Sequence, residues 1–202
     1  NTVAGTVSGW ATALRMSETL GGKLPLGRLV EEAVWHGEHG FAVTKSQAQL
    51  TAEKISELCD LPGFSSQFLS KGEPPREGDL MKLPALAETL KRLGTHGAED
   101  FYSGKVSKLI ASDLEEIGSP VAARDLERHR AEMRTPLSIK VGAGQLFNFP
   151  PPTQGLASLM ILALFDRLGI KEADTFAYQH GIIEATKQAF IVRAASSATP
   201  EA

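Results

Sequence analysis

Two histidines, His36 and His39, bracket Gly37-Glu38, and on a helix their side chains would share a face. Paired imidazoles are zinc-type ligands, but a zinc site needs at least a third ligand beside them. No third ligand stands nearby, and Gly37 and Gly40 read as the end of a helix. Polar groups at a helix C-terminus, where a cation suits the dipole, are the simpler account. His180 and Glu184 are four apart and read as a surface or buried helix pair. Gly142-Ala143-Gly144 lacks the third glycine and the strand-then-helix setting of a phosphate loop, so it reads as a tight turn. Cys59 has no neighbouring histidine or basic group to lower its pKa and reads as a small buried hydrophobe. Asp113, Glu115 and Glu116 read as solvated helix charges. No Ser-His-Asp or paired-carboxylate pattern emerges. The residues alone complete no active centre, and they call for neither metal nor cofactor.

The stretch FNFPPPTQG, Phe147 to Gly155, is of another kind. Proline fixes φ and biases the residue before it towards extended backbone, so Pro150-Pro151-Pro152 reads as a stiff, polyproline-like segment. Thr153 can cap the helix that follows, and Gly155 permits a close backbone approach. Two readings stay open on these residues: a rigid strand-to-helix corner, or a loop projecting at a site whose reactive group lies elsewhere. The first is the simpler.

The elements around the elbow are mostly helical. Val3 to Leu20 carries Val7, Trp10 and Leu14 at helical spacing and stops at Gly21-Gly22. A second stripe runs through Leu26, Leu29, Val30, Ala33 and Val34. Thr44-x-x-Gln47 reads as a capping box opening a helix through Leu50, Ile55 and Leu58. Phe64 and Phe68 suit one short turn, and Ser70 to Asp79 reads as a polar, Pro/Gly-rich loop. Pro84 opens a helix predicted to turn Leu86, Leu90 and Leu93 inward. Val106, Leu109, Ile110, Leu114 and Ile117 mark the cleanest amphipathic helix, and a shorter one is predicted from about Ala122 to Met133. Ser138 to Phe149 then reads as a hairpin turning at Gly142-Ala143-Gly144. Two helices follow the elbow, Leu156 to Leu168 and about Lys171 to Arg193. The expectation is an α+β chain, predominantly helical with a late β-hairpin, forming one body over residues 1–193 with a flexible tail over 194–202.

The 202 residues carry a net charge of −3 and no basic block, which gives nucleic-acid binding no electrostatic support. No apolar run reaches membrane-spanning length, so no membrane partner is expected. One cysteine excludes an internal disulfide. No signal peptide is visible, and the expected compartment is the cytoplasm, with periplasm or secretion as the alternative. The first residue is Asn1 rather than Met, which reads as a fragment or a processed product.

Several stretches, taken in order, resemble the large, non-nucleophile subunit of the γ-glutamyltransferases (γ-glutamyltranspeptidases). They are TVAGTVSGW, LPLGRLVEEAVWHGEHGFAVT, GEPPREGDLMKLPALAETLKRLGTHGAEDFYSGKVSKLI, RTPLS, FNFPPPTQG and HGIIEATKQAF. The resemblance implies an αββα N-terminal-nucleophile hydrolase, made as one precursor that cuts itself and assembled from two subunits. A threonine at the start of the small subunit would attack an amide carbonyl, its own α-amine serving as base, and pass the acyl group to water or an amine. No catalytic residue is then expected in this chain; the carboxylate-binding arginine would lie before Asn1. Pro151, Thr153, Gln154 and Gly155 would line the substrate pocket beside the small subunit. The implied substrates are γ-glutamyl compounds such as glutathione, or small amides.

Three features depart from the family pattern. Thr153-Gln154-Gly155 stands where many members have Ser-Ser-Gly, which is closer to relatives that hydrolyse small amides such as oxamate. Ala122 replaces a capping threonine, with Ser119 expected to take over the cap. The tail AASSATPEA differs from the usual continuation. The competing reading is a non-catalytic helical interaction module.

Overall fold

The computed structural model describes residues 2–197. Their contacts separate into two compact units, with the boundary between Glu132 and Met133. Sequence patterning drew a single body over 1–193 and saw no such boundary, because the 129–136 stretch reads as the end of a helix followed by a strand.

The first unit is built from helices α1 (Thr6–Thr19), α2 (Leu26–His39), α3 (Lys45–Leu58), α4 (Phe64–Phe68), α5 (Pro84–His96), α6 (Asp100–Ser103), α7 (Lys105–Glu116) and α8 (Ala123–Arg128). Two short strands, β1 (Phe41–Ala42) and β2 (Leu80–Met81), pair antiparallel between them. Thr44 caps α3 by accepting the Gln47 amide at 3.2 Å, and Pro84 occupies the first turn of α5, as expected. Gly40, at φ 104°, ends α2 one residue after His39.

Small side chains set the α2–α5 seam. A Cβ on Gly27 would lie 3.1 Å from the Gly94 carbonyl oxygen, and one on Gly37 would lie 2.9 Å from the Ala87 Cβ. The helices approach backbone to backbone, so Ala87 is the residue buried there while Leu86 faces outward, against expectation. Gly37 lies inside α2 rather than ending it.

Tyr102 organises the other half of the unit. It is 1 % exposed and packs with Val7, Leu93, Ala98 and Val106. Its hydroxyl accepts the Ser8 amide at 2.9 Å and donates to the Ala4 carbonyl at 2.8 Å. Gly5, which precedes α1, has no side chain to cap the helix, so a residue 94 positions away takes one of its orphan amides. Asp100 does the same for α7. It accepts from the Lys105 and Val106 amides at 3.3 and 3.2 Å and from Arg92 Nε and Nη2 at 2.7 and 2.8 Å.

Helix α8 is shorter than the predicted Ala122–Met133 and ends at Arg128. The chain turns extended at His129, whose ring lies 5.3 Å from that of Tyr102, and the Ala131 amide donates to Ser8 Oγ at 2.7 Å. Ser119 does not cap this helix; its hydroxyl accepts the Val121 amide instead. The helix start is held by Asp125, whose carboxylate accepts the Ala122 amide at 2.9 Å.

The second unit holds the hairpin β3 (Leu137–Val141) and β4 (Gly144–Asn148), followed by α9 (Gly155–Arg167) and α10 (Phe176–Ser197). The register pairs Leu137 with Asn148 and Val141 with Gly144, leaving Gly142-Ala143 as the two-residue turn. Asp166 of α9 reaches the turn and accepts the Gly142 amide at 3.0 Å. Ala157, Leu159, Ala185 and Ala189 are the buried apolar side chains of the helix pair among the described residues. The last helix starts at Phe176 rather than near Lys171. Asp174 takes a left-handed φ of 60°, and the Thr175 hydroxyl accepts the Tyr178 amide at 3.2 Å. It continues to Ser197, past the Arg193 at which it was expected to end. Residues 198–202 of the expected tail lie outside the described residues.

Candidate functional site

The elbow is a turn rather than a straight polyproline segment. The Pro151–Pro152 bond is cis, and the Thr153 amide donates back to the Pro150 carbonyl at 3.3 Å. The Thr153 hydroxyl faces the backbone, with the Phe149 and Pro150 carbonyls at 3.2 and 3.0 Å, and it accepts the Gly155 amide at 3.2 Å. It thereby serves the start of α9, the capping role expected of it. Gly155 is buried, and a Cβ there would sit 2.0 Å from the Phe149 carbonyl oxygen, so the close approach expected at this residue is present.

The four residues expected to line a pocket therefore divide. Thr153 and Gly155 are committed to holding the turn. Pro151 and Gln154 are exposed without such a task, and Thr153 is exposed as well. Gln154 is the N-cap position of α9, but its side chain makes no capping bond. Its Oε1 instead accepts from Arg193 Nη1 of α10 at 3.2 Å. The Arg193 guanidinium in turn lies 4.0 Å above the Phe190 ring. Sequence reading took Arg193 only as the end of a helix; the two residues are 39 apart, and no local periodicity connects them.

The other candidates resolve into structure. His39 stacks on Trp35 at 4.8 Å between ring centres, with Nδ1 3.0 Å from the Trp35 carbonyl oxygen, and His36 meets the same indole edge-on. His180 stacks on Phe176, while the Glu184 carboxylate pairs with Lys187 at 2.6 Å, which holds its pKa below the usual carboxylate range. Cys59 is half-buried rather than buried. Gly142-Ala143-Gly144 belongs to the hairpin turn. Among the described residues, no group of three His, Cys, Asp or Glu side chains could hold a metal ion. No described helix is long and apolar enough to cross a membrane. The first unit also carries an apolar groove of about 540 Å³ between α1, α2 and α5, lined by Trp10, Leu14, Leu29 and Leu90 among others, with no ionisable group on its walls.

A helical unit followed by hairpin, elbow and helix pair is the architecture of part of an N-terminal-nucleophile hydrolase. The cephalosporin acylase of Bacillus halodurans matches it with a TM-score of 0.84 at 27 % identity, over 92 % of this chain and 35 % of that one. The gamma-glutamyltranspeptidase family model matches residues 1–202, and the chain belongs to that family. It is 46 % identical to the oxamate amidohydrolase proenzyme of Klebsiella pneumoniae, over 98 % of this chain and 38 % of that protein. It is 34 % identical to glutathione hydrolase 2 of Arabidopsis thaliana, over 95 % of this chain and 33 % of that protein. The chain thus spans between a third and two fifths of the length of these two curated relatives.

Proposed function

We propose that the chain is the large, non-nucleophile part of a self-processing amidohydrolase of the γ-glutamyltranspeptidase type. Its substrates are small amides of the oxamate kind, with γ-glutamyl amides as the other class the family resemblance allows. The observation that carries this reading is the 46 % identity, over 98 % of the chain, to an oxamate amidohydrolase proenzyme. The Thr153-Gln154-Gly155 elbow supports it, since an exposed carboxamide gives a small polar substrate a hydrogen-bonding group that a plain hydroxyl does not match.

The nucleophile in this reading is a threonine hydroxyl at the start of a second subunit from the same precursor. The hydroxyl oxygen adds to the amide carbonyl, its proton passes through the threonine's own α-amine to the leaving nitrogen, and the C–N bond breaks to leave an ester. Water then adds to the ester, releases the acid and restores the hydroxyl; for oxamate the products are ammonia and oxalate. This chain contributes the pocket wall at Pro151 and Gln154, held by the Thr153 hydroxyl bonds and the close-packed Gly155. One feature accords with a partner subunit: Leu162, Ile183 and Ile191 stand 43 %, 54 % and 64 % exposed on α9 and α10, apolar side chains suited to burial.

Gln154→Ser in the complete processed enzyme tests the reading. The expected result is a changed ratio of oxamate to γ-glutamyl-4-nitroanilide turnover, with stability moved by no more than about 0.5 kcal/mol, as for exposed polar changes. An unchanged ratio with a lowered melting point would make the elbow a corner and nothing more.

A further inference from the structure

The geometry points to Arg193 as a positioning residue for the pocket amide. It holds Gln154 so that the carboxamide NH2, not its oxygen, faces the substrate as a hydrogen-bond donor. This rests on the reading that places the elbow at the pocket, and it assigns the elbow its polarity.

A glutamine amide has a donor end and an acceptor end, and rotation by half a turn exchanges them. An exposed glutamine without a fixed partner therefore offers a substrate neither end reliably. Gln154 has a fixed partner. A guanidinium carries five N–H donors and no acceptor, so the amide atom facing Arg193 Nη1 at 3.2 Å must be the oxygen. Chemistry, and not only placement, sets the orientation. Among the described residues, the Gln154 NH2 group has no hydrogen-bond partner.

Two features make the arrangement more than a chance surface contact. First, Thr153 accepts the Gly155 amide at 3.2 Å at the start of α9, and the Gln154 side chain makes no capping bond, which leaves it available. Secondly, Arg193 is itself restrained: it is half-buried, and its guanidinium lies 4.0 Å over the Phe190 face. A restrained cation loses less side-chain freedom when it fixes a neighbour, which is why a stacked arginine orients a partner better than a free one. The substrate feature such a donor recognises is an oxygen: the carboxylate or carbonyl of a small amide acid, or the carbonyl of a γ-glutamyl group. Steric fit alone at this position would be indifferent to which end of the amide faces outward.

The test is a set of variants in the complete processed enzyme, with KM and kcat measured separately on oxamate and on γ-glutamyl-4-nitroanilide. Loss of one oriented hydrogen bond should raise KM for the preferred substrate roughly two- to tenfold with kcat little changed. Arg193→Ala and Gln154→Ala should each do this, and combining them should add nothing further, since the arginine acts only through the glutamine. Arg193→Lys, also donor-only, should restore part of the loss. Gln154→Glu is the sharper probe: it keeps an oxygen for Arg193 and removes the donor, so KM should rise although the arginine contact is retained. KM does not depend on how much enzyme matures, so reduced yield from a poorly folding variant leaves the readout intact. If Gln154→Ala raises KM while Arg193→Ala does not, or if Gln154→Glu binds as well as the native enzyme, the positioning role is overturned and the pocket reading stands. If Gln154→Ala leaves KM unchanged on both substrates, the pocket reading itself fails.

Discussion

The same substitution, glycine to alanine, should act with opposite sign at two helices of this chain. Gly9 lies inside α1, and a Cβ built on it meets nothing within 4 Å. Only the helix propensity gain remains there, so Gly9→Ala should stabilise by roughly 0.5–1 kcal/mol. Gly155 opens α9, where propensity also favours alanine, but the added carbon would lie 2.0 Å from the Phe149 carbonyl oxygen and 2.9 Å from Asn148 Oδ1. That oxygen belongs to the backbone and is held by the Thr153 hydroxyl, so it cannot rotate aside as a flexible side chain would. Relief requires the end of the hairpin to move from the start of α9. Overpacking of this kind costs about 1–3 kcal/mol and exceeds the propensity gain, so Gly155→Ala should destabilise by roughly 1–2 kcal/mol net. Denaturant midpoints of the complete processed enzyme should move up for Gly9→Ala and down for Gly155→Ala. A Gly155→Ala midpoint equal to or above that of the native enzyme would refute the claim that close approach dictates glycine at the elbow.

Tyr102→Phe keeps the buried ring but leaves the Ser8 amide without its acceptor, and should destabilise by roughly 1–3 kcal/mol in the same denaturation assay. Asp100 has its pKa lowered to about 2 from 3.8, chiefly by the hydrogen-bonded Arg92 guanidinium and with help from the Val106 and Lys105 amides. A depressed carboxyl stabilises the fold fully above the unfolded value and loses that contribution as pH falls through the folded one. Stability should therefore decline between about pH 4 and pH 2, and Asp100→Asn should flatten that segment of the pH profile.

What the sequence made legible follows from where the physics is local. The Thr44 cap, the Pro84 helix start and the Gly142-Ala143 turn depend on neighbouring residues and are found where the residues predict them. On α5 the inward reading holds for Leu93, which is buried, and for Leu90, which packs against the Val30, Val34 and Ala87 cluster. It fails at Leu86, because periodicity weighs large apolar residues whereas the α2–α5 seam is built on Gly27, Gly37, Ala87 and Gly94. Leu86 is consequently 47 % exposed; Leu109 of α7 and Ile117, the residue that ends it, are 57 % and 58 % exposed. The caps supplied by Tyr102 and Asp100 involve chemistry that periodicity does not encode, and the first spans 94 residues. At the elbow, Gly155 and the Thr153 cap were readable from residue type. The Arg193 contact was not, because it depends on how α10 lies against the start of α9.

The central claim is that this chain supplies a pocket wall and scaffold while the nucleophile resides on a second subunit. Ammonia release from oxamate measures it most directly, with the complete processed enzyme and the purified 202-residue chain assayed side by side. The account predicts turnover by the complete enzyme and none by the chain alone. Sustained ammonia release by the chain, free of any other subunit, would contradict it.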